Sequence, residues 1–298
     1  MLQKRATKWA LAALASPLVI SLTGCSQQEW DRGLLPGAPD AAGNEATNHA
    51  KTIVGFWTGS WAVLWAVGIV AWAIMVYALI AYRRRKGDNT IPKQIRYNNP
   101  IETLFTVVPM ILVVGFFAFT AKTMTDIETQ YTDSQADVVV EAIGKQWSWD
   151  FNYVKESTYE TGVQATDATV GAKTIAEIDN LPTLWLPVNK KIRIDLASRD
   201  VDHSFWVIDF LYKKDMLPGK TNHMSFITTK EGEYRGKCAE LCGEFHSMML
   251  FKVKVVSQSA YEAHVTELKA AGNNGQLDDK YSRNQNLPGN GDNVSNEG

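Results

Sequence analysis

The sequence predicts a two-helix transmembrane hairpin followed by an all-β sandwich domain on the outer face of a membrane. Two long apolar segments joined by a basic loop predict the hairpin. Short alternating runs separated by regular turn residues follow the hairpin and predict the sandwich. The net charge of −2 over 298 residues argues against a dedicated nucleic-acid binder, so no nucleic-acid partner is expected.

The chain opens with the features of an export signal. Three basic residues precede an apolar run from Ala10 to Leu22, which is too short to cross a bilayer and is followed by Thr-Gly-Cys25. This ending resembles the lipobox of bacterial lipoproteins, in which the signal is cut before the cysteine and the thiol is lipidated. We predict a lipoprotein signal peptide over residues 1–24, a lipid anchor at Cys25 and an external segment over residues 25–50. A plain signal peptide with an unrelated cysteine is the alternative.

The hairpin is predicted over residues 51–122. Its first span runs from Ile53 to Tyr82 without a charge, which exceeds the roughly 20 residues needed to cross the hydrocarbon core. The second span runs from Ile101 to Ala121, and the loop between the spans starts with Arg-Arg-Arg-Lys. The positive-inside rule places this loop in the cytoplasm, so both ends of the mature chain face outside.

The outer domain is predicted over residues 123–269. Its β-type runs reach to about residue 256 and suggest a sandwich or a barrel. A stretch rich in Thr, Ala and Gly interrupts them near residues 155–180, which predicts an insertion or long loop. Residues 259–269 are expected to form a closing helix. The remaining residues, 270–298, are rich in Asn, Gly and Asp and predict a disordered tail.

One short segment, CAELCGEFHSMM, concentrates soft metal ligands. It holds Cys238, Cys242, His246 and Met249, and His203 opens an earlier β-type run. Four interpretations are open: a disulfide, a Cys₂His₂ zinc site, a mononuclear blue-copper site, or a copper site that uses both thiolates. An early histidine combined with a late Cys-His-Met loop is typical of blue copper on a β-sandwich, and a thioether is redundant for zinc. The pattern therefore favours copper.

This segment closely resembles the dinuclear CuA motif C-x-E-x-C-x3-H-x2-M of subunit II of haem-copper cytochrome c oxidases. The spacing from His203 to Cys238 is also similar to the spacing in that family. Three further segments resemble the family: ETLFTVVP, with Phe105 where tryptophan is usual; GKQWSWDFNY, with Lys145 in place of histidine; and KKDMLPGK, with Lys220 in place of arginine. The resemblance covers about residues 50–268 and implies that the sandwich is cupredoxin-like.

The resemblance implies a ligand set for two copper ions. It assigns His203 and His246 as imidazole ligands and Cys238 and Cys242 as bridging thiolates. Met249 would supply an axial thioether and Glu240 its backbone carbonyl. In the family, the side chain at the position of Glu240 points to a magnesium ion shared with subunit I. The haems and the further copper of such an oxidase belong to subunit I.

Two other residues receive roles from the resemblance. Trp147 matches the exposed tryptophan that receives electrons from cytochrome c, although Trp149, two residues on and expected on the same strand face, is an alternative. Glu102 is the only charge in the second span, and an ionisable group at membrane depth is a functional hypothesis. In the family this position lies by the entrance of a proton pathway in subunit I. Near the cytoplasmic end of the span, Glu102 is equally placed to reach the interface.

The implied function is electron acceptance in a proton-pumping terminal oxidase of the bacterial cell membrane. A c-type cytochrome would reduce CuA, and the electrons would pass to haem in subunit I for the reduction of oxygen to water. The implied partners are subunits I and III, membrane lipids and the cytochrome. The chain has no C-x-x-C-H motif, so it carries no haem of its own and the donor is another protein. The insertion near residues 155–180 is a candidate contact for a membrane-bound cytochrome of a bc-type complex in a supercomplex.

Three other functions each fit part of the sequence. A copper-free quinol oxidase subunit II has the same fold, but all the CuA ligands are present here. An exported, membrane-anchored copper-binding or assembly protein would explain the ligands, but it would leave the hairpin with Glu102 and Pro109 unexplained. A lipid-anchored structural protein with a Cys238–Cys242 disulfide would leave the placement of His203 and Met249 unexplained.

Overall fold

The computed structural model describes residues 29, 32–37, 40, 42–87, 90–92, 94–162 and 181–278. The predicted signal peptide, Cys25, residues 163–180 of the predicted insertion and residues 279–298 lie outside the described residues. The predicted order of a helical hairpin followed by a β-sandwich is confirmed.

Two long helices form the hairpin: α1 covers Ala50–Ala81 and α2 covers Asn99–Ile127. At 1.5 Å per residue they are about 48 and 44 Å long, and both are long and apolar enough to cross a membrane. Phe56 of α1 stacks on Phe116 and Phe119 of α2, with ring centroids 6.1 and 5.7 Å apart. Because α2 ends at Ile127, it continues six residues beyond the predicted end of its span at Ala121. The outer domain accordingly begins later than residue 123.

A reciprocal cap starts α2. The Asn98 side chain accepts a hydrogen bond from the backbone N–H of Ile101, and the Glu102 carboxylate accepts one from the N–H of Asn98, at 2.9 Å. This arrangement satisfies two backbone donors that the first helical turn leaves unpaired. Glu102 thus has a local structural role at the start of the span.

Ten strands form two five-stranded sheets within the described residues. The first sheet has the order β3-β2-β1-β5-β8 and the second β4-β10-β9-β6-β7. The pairs β1–β5 and β4–β10 are parallel, and the remaining pairs are antiparallel. The strands are β1 Val138–Lys145, β2 Ser148–Tyr153, β3 Thr158–Thr161, β4 Thr183–Pro187, β5 Lys191–Ser198, β6 His203–Val207, β7 Tyr212–Met216, β8 Asn222–Ile227, β9 Gly232–Cys238 and β10 Leu250–Val256.

An aromatic cluster fills the space between the sheets at the end nearest the ligand loop, residues 238–249, which holds the predicted metal ligands. Phe251 lies 4.8 Å from Trp149, 4.9 Å from Phe205 and 5.6 Å from Phe151, measured between ring centroids. All four rings are buried. The predicted closing helix is confirmed as α3, Gln258–Ala270.

Two segments differ from the predicted loop and tail. Thr158–Thr161, inside the predicted insertion, pairs with β2 as an edge strand. Residues 271–278, inside the predicted disordered tail, pack on the sandwich. Leu277 is buried there, and its backbone N–H and C=O both bond the Asn152 side-chain amide at 2.8 Å. One buried leucine and a reciprocal amide pair order this segment, and neither is visible in its polar composition.

The sandwich holds the hairpin at both of its outer ends. Before α1, the backbone N–H of Asn48 donates to the carbonyl of Ile227 at 3.0 Å, and the Asn48 side chain accepts from the N–H of Ile227 at 2.7 Å. After α2, the Glu128 carboxylate accepts from the Tyr212 hydroxyl at 2.7 Å and forms an ion pair with Lys214. These contacts join the hairpin to strands of both sheets.

Candidate metal centre

The predicted ligands meet at one end of the second sheet. His203 is the first residue of β6 and Cys238 is the last residue of β9, and these strands pair antiparallel. The chain then makes a loop and returns as β10, which starts directly after Met249. The N–H of Cys238 donates to the carbonyl of Met249 at 3.0 Å, which closes the loop. Strand pairing therefore brings residues that are 35 to 46 positions apart in sequence to one place.

The two thiols lie at the middle of the ligand group. The Sγ atoms of Cys238 and Cys242 are 3.8 Å apart, and both cysteines are free. His203 Nδ1 lies 3.8 Å from Cys238 Sγ, and His246 Nδ1 lies 3.6 Å from Cys242 Sγ. Met249 Sδ lies 3.7 Å from Cys242 Sγ. The structure thus brings together all five side-chain donors that the sequence predicts.

The carbonyl donor is also in place. The backbone oxygen of Glu240 lies 3.1 Å from Cys238 Sγ, while the Glu240 side chain is exposed. Within the described residues, His203, Cys238 and Cys242 form the only group of three or more His, Cys, Asp or Glu side chains close enough to hold a metal, with donor atoms within 4.8 Å of one another.

The chemistry of this donor set fits copper. Two thiols, two imidazoles and a thioether are soft or intermediate donors, and no carboxylate lies among them. His203, both cysteines and Met249 are buried, so a bound ion would be shielded from water on this side. Each imidazole turns Nδ1 towards a sulfur, so that Nε2 points away from the sulfurs and, in His203, meets Asp200.

The thiols do not ionise alike. The hydrogen bond from Cys242 is the largest influence that lowers the pKa of Cys238, with a further contribution from His203, so the first thiolate forms at Cys238. That thiolate, followed by burial, raises the pKa of Cys242. Burial opposes protonation of His203, but hydrogen bonds with Asp200 and Cys238 outweigh it and raise the His203 pKa.

Outer contacts orient the ligands, and they come from residues that have no role in the predictions from sequence. Asp200 Oδ1 lies 2.8 Å from His203 Nε2 and fixes the ring from the side opposite the sulfur. The Gln146 side chain donates to the carbonyl of Cys242 at 2.6 Å. Gly144 packs against the His203 ring so closely that an added Cβ would lie 2.8 Å from its Cδ2 atom. The available sequence signals were an acidic residue three positions before a ligand and the family-like segment GKQWSWDFNY, which begins at Gly144.

The two candidate tryptophans differ in burial. Trp147 lies in the turn between β1 and β2, not in a strand, so the two rings do not share a strand face. It is half-buried, meets Phe245 edge-on at 4.9 Å and donates to the carbonyl of Cys242 at 3.3 Å. Trp149 is fully buried in the core and donates to the carbonyl of Met249. Of the pair, Trp147 is the one that reaches the surface.

Comparison with known proteins agrees with the geometry. Residues 40–121 match the family model for "Cytochrome C oxidase subunit II, transmembrane domain", and residues 138–256 match the one for its "periplasmic domain". A probable cytochrome c oxidase subunit 2 of Streptomyces avermitilis is 39% identical over 294 residues, which covers 90% of this chain and 89% of the relative. Cytochrome c oxidase subunit 2 of Corynebacterium glutamicum is 30% identical over 278 residues, which covers 78% and 76% of the two chains.

A solved structure is similar to the outer domain. The periplasmic domain of subunit II of cytochrome oxidase from Bradyrhizobium japonicum has a TM-score of 0.40 and 32% sequence identity, and the match covers 46% of this chain and 96% of that one. The two family matches together span most of the described hairpin and sandwich, and the Streptomyces relative aligns with nearly the whole sequence. On these grounds, this chain belongs to the cytochrome c oxidase subunit II family.

Proposed function

We propose that this chain accepts electrons from a c-type cytochrome at a dinuclear CuA centre and relays them to haem in subunit I of a terminal oxidase. One observation carries the proposal: the adjacent thiols of Cys238 and Cys242 each have an imidazole nitrogen within 3.8 Å. When bound, a pair of copper ions sharing two thiolates takes up and releases single electrons with little rearrangement. The bond chemistry of oxygen reduction belongs to subunit I.

Each of the ligand residues would make a different contact with such a centre. Cys238 and Cys242 would supply the bridging sulfurs, His203 and His246 the imidazoles, and Met249 and the Glu240 carbonyl the weaker contacts. The buried positions of His203 and the cysteines limit access of water, and the Asp200 carboxylate orients one imidazole. Because hydrogen bonds and burial hold these groups in place, electron transfer would require little movement of the protein.

Trp147 is proposed as the point where electrons arrive. Its ring is partly exposed, and one hydrogen bond joins its indole N–H to the carbonyl of the ligand Cys242. We expect Trp147→Phe to slow reduction by a c-type cytochrome and to leave the copper spectrum unchanged. Trp206→Phe is the matched control, because Trp206 is also half-buried but its ring contacts the Lys237 ammonium, 4.8 Å from the ring centroid, whereas the Trp147 indole bonds a ligand carbonyl. Equal reduction rates in the two variants would contradict this role.

Electron paramagnetic resonance of the full-length chain, loaded with copper in detergent, tests the main proposal. A seven-line hyperfine pattern, from one electron shared by two copper nuclei, is expected. A four-line pattern would indicate a single copper and favour an assembly protein. Absence of copper binding in a chain with two free thiols would favour the copper-free quinol oxidase type, and a Cys238–Cys242 disulfide would favour a structural role.

Several finer assignments belong to the same proposal. The exposed Glu240 side chain is available for a magnesium ion shared with subunit I, and Glu102 is proposed to lie by a proton-pathway entrance in that subunit. Subunits I and III, membrane lipids and a bc-type complex are proposed neighbours. If cross-linking from residues 163–180 finds no cytochrome, the proposal that a bc-type complex is a neighbour fails.

The membrane arrangement is proposed to place the basic loop inside the cell and Cys25 at the outer surface, with an acyl anchor. Labelling with a membrane-impermeant maleimide tests the orientation, because a cysteine introduced at Arg84 in the basic loop should be protected in intact cells. Mass spectrometry of the mature chain tests the anchor, and a Cys25→Ser variant should lack the acyl mass. An unmodified Cys25 would refute lipidation and leave the oxidase assignment intact.

A further inference from the structure

Three charged side chains are buried together beside the metal centre. Lys145 Nζ lies 2.5 Å from Asp150 Oδ1, and Arg199 Nη1 lies 2.9 Å from Asp150 Oδ2. The three side chains are between 0 and 5% exposed. The hydroxyl of Thr161 completes the group, since it donates to Asp150 Oδ1 at 2.5 Å and accepts from Lys145 Nζ at 3.1 Å. We call these four residues the Asp150 cluster.

Buried charges of this kind do little for net stability. Removing two cations and a carboxylate from water costs several kcal/mol per ion, roughly what their mutual attraction returns. A hydrophobic replacement of the same volume would serve the core as well. The Asp150 cluster therefore calls for an explanation other than stability, and its place in the fold supplies one.

The cluster joins two connections that lead to the metal ligands. Lys145 ends β1 and is followed by Gln146, whose side chain bonds the Cys242 carbonyl. Arg199 follows the end of β5 and precedes Asp200, whose carboxylate lies against His203 Nε2. In each adjacent pair, one residue enters the buried cluster and the next touches a ligand.

The two connections are also joined directly. The backbone N–H of Gln146 donates to Asp200 Oδ2 at 2.6 Å, and the N–H of Arg199 donates to the carbonyl of Gly144 at 3.0 Å. The Arg199 guanidinium further donates from Nε to the carbonyl of Asp278 at 2.8 Å, so the packed segment 271–278 covers the cluster. The ligand-orienting residues therefore rest on a support that is fixed on several sides.

We propose that the Asp150 cluster is a positioning device for the metal centre: it fixes the β1–β2 turn against the β5–β6 connection, and through Gln146 and Asp200 it sets the orientation of Cys242 and His203. The inference rests on the proposed function, because the oriented groups are copper ligands. Lys145 and Arg199 are positioning residues that act through their neighbours. This proposal gives a positioning role to Lys145, which stands where the family usually has histidine.

Lys145→Met tests the proposal in the full-length, copper-loaded chain in detergent. Asp150 keeps its Arg199 and Thr161 partners in this variant, so the sandwich should still fold. We expect copper transfer to a chelator to become faster by about tenfold, which is the usual scale for loss of an outer contact of a metal ligand. The hyperfine splitting and the reduction potential should shift with it.

Lys230→Met is the matched control. Lys230 makes the same kind of contact, 3.0 Å to Asp40 Oδ2, but both side chains are well exposed and the pair is not among the contacts of the metal ligands. Its copper release, hyperfine splitting and potential should equal those of the wild type. Thr161→Val is the second variant, because it removes only a hydroxyl from the cluster and should change the same three quantities in the same direction by less.

The outcomes separate the inference from the function on which it rests. If Lys145→Met and Thr161→Val only lower the thermal midpoint of the apoprotein, and copper release, splitting and potential stay at wild-type values, the cluster has a structural role and the inference fails alone. If Lys145→Met does not fold, Thr161→Val decides by the same criteria. A wild-type chain without a two-copper spectrum would refute the proposed function and the inference together.

Discussion

Replacing Gly144 by alanine should damage the metal centre through a contact of a few atoms. In β1, a Cβ at this position would lie 2.8 Å from His203 Cδ2 and 3.0 Å from its Cγ. Real Cβ contacts essentially never lie below 3.0 Å and ordinary ones begin at 3.4 Å, so the ring must move by at least 0.2 Å, and by 0.6 Å to reach an ordinary contact. The ring has little room, because it is fully buried and its Nε2 is bonded to Asp200 at 2.8 Å.

The expected size follows from two opposed effects. Forcing a methyl group into a packed interior costs about 1–3 kcal/mol. Replacing glycine also reduces the freedom of the unfolded chain, which returns about 0.4–1 kcal/mol. Together these ranges give a net loss of about 0–2.6 kcal/mol in the free energy of unfolding of the apoprotein, and we expect Gly144→Ala to lie near the middle, at about 1.3 kcal/mol. A comparable loss in copper binding would be roughly a tenfold lower affinity.

The assay compares Gly144→Ala with Gly232→Ala in the same chain. An added Cβ at Gly232 would meet its nearest atom, the Tyr234 hydroxyl oxygen, at 3.4 Å, which is an ordinary contact. The control keeps the entropic gain without the clash, so it should be as stable as the wild type or more stable. Denaturant unfolding, a copper titration and the paramagnetic resonance spectrum are recorded for both. Equal unfolding energies and identical copper spectra would refute the argument that His203 has no room to move.

The remaining predictions concern the ligands, the C-terminal segment and the base of the hairpin. Cys242→Ser removes one of the two proposed bridging sulfurs, so the copper-loaded chain should give a four-line spectrum in place of a seven-line one. Leu277→Ala should lower the free energy of unfolding by about 2–3 kcal/mol, because a buried leucine is truncated, and denaturant titration measures the loss. Burial raises the pKa of Glu128, but hydrogen bonds from Lys214 and Tyr212 outweigh it and leave the pKa below its usual 4.5. Glu128 therefore stabilises the fold above that pH and loses its contribution as the pH falls through the folded-state pKa. Glu128→Gln should flatten the dependence of unfolding free energy on pH in this range. The change should be under about 1 kcal/mol, because the Glu128–Lys214 ion pair is partly exposed.

Each of these predictions has its own control. Ser247→Ala, an exposed change in the ligand loop, should keep the seven-line spectrum, and a seven-line spectrum for Cys242→Ser would contradict the bridging role. Gln276→Ala, next to Leu277 but exposed, should change stability by no more than about 0.5 kcal/mol. A Leu277 variant as stable as this control would mean that the segment contributes nothing. An unchanged acid profile for Glu128→Gln would show that its ion pair is absent in solution.

Local patterns predicted the hairpin and the ligand group well. Thirty uncharged residues from Ile53 onwards allow few alternatives to a membrane span, and four soft donors at fixed spacing around Cys238 narrow the chemistry strongly. The β-type run that begins at His203 added the early histidine, and the family resemblance then supplied the Glu240 carbonyl. Each of these predictions depends on residues that are close together in sequence or on a motif shared with a known family.

Contacts between distant segments were not predictable in the same way. The approach of Gly144 to His203 spans 59 residues and depends on how two sheets face each other, which no periodicity encodes. The short strand Thr158–Thr161 has few apolar residues because it is an edge strand, so it resembled a loop. The segment around Leu277 is ordered by side-chain amide bonds to Asn152, and polar composition alone points the other way.

The way in which the sandwich holds both outer ends of the hairpin limits how electrons can be delivered. Asn48 is bonded to β8 immediately before α1, and Glu128 is bonded to β7 immediately after α2, so no flexible stalk separates the outer domain from the membrane on either side. A domain held in this way cannot swing between a distant donor and the oxidase as a tethered carrier would. In the proposed function the donor must travel instead, and it would reach the surface around Trp147, the proposed point of electron entry.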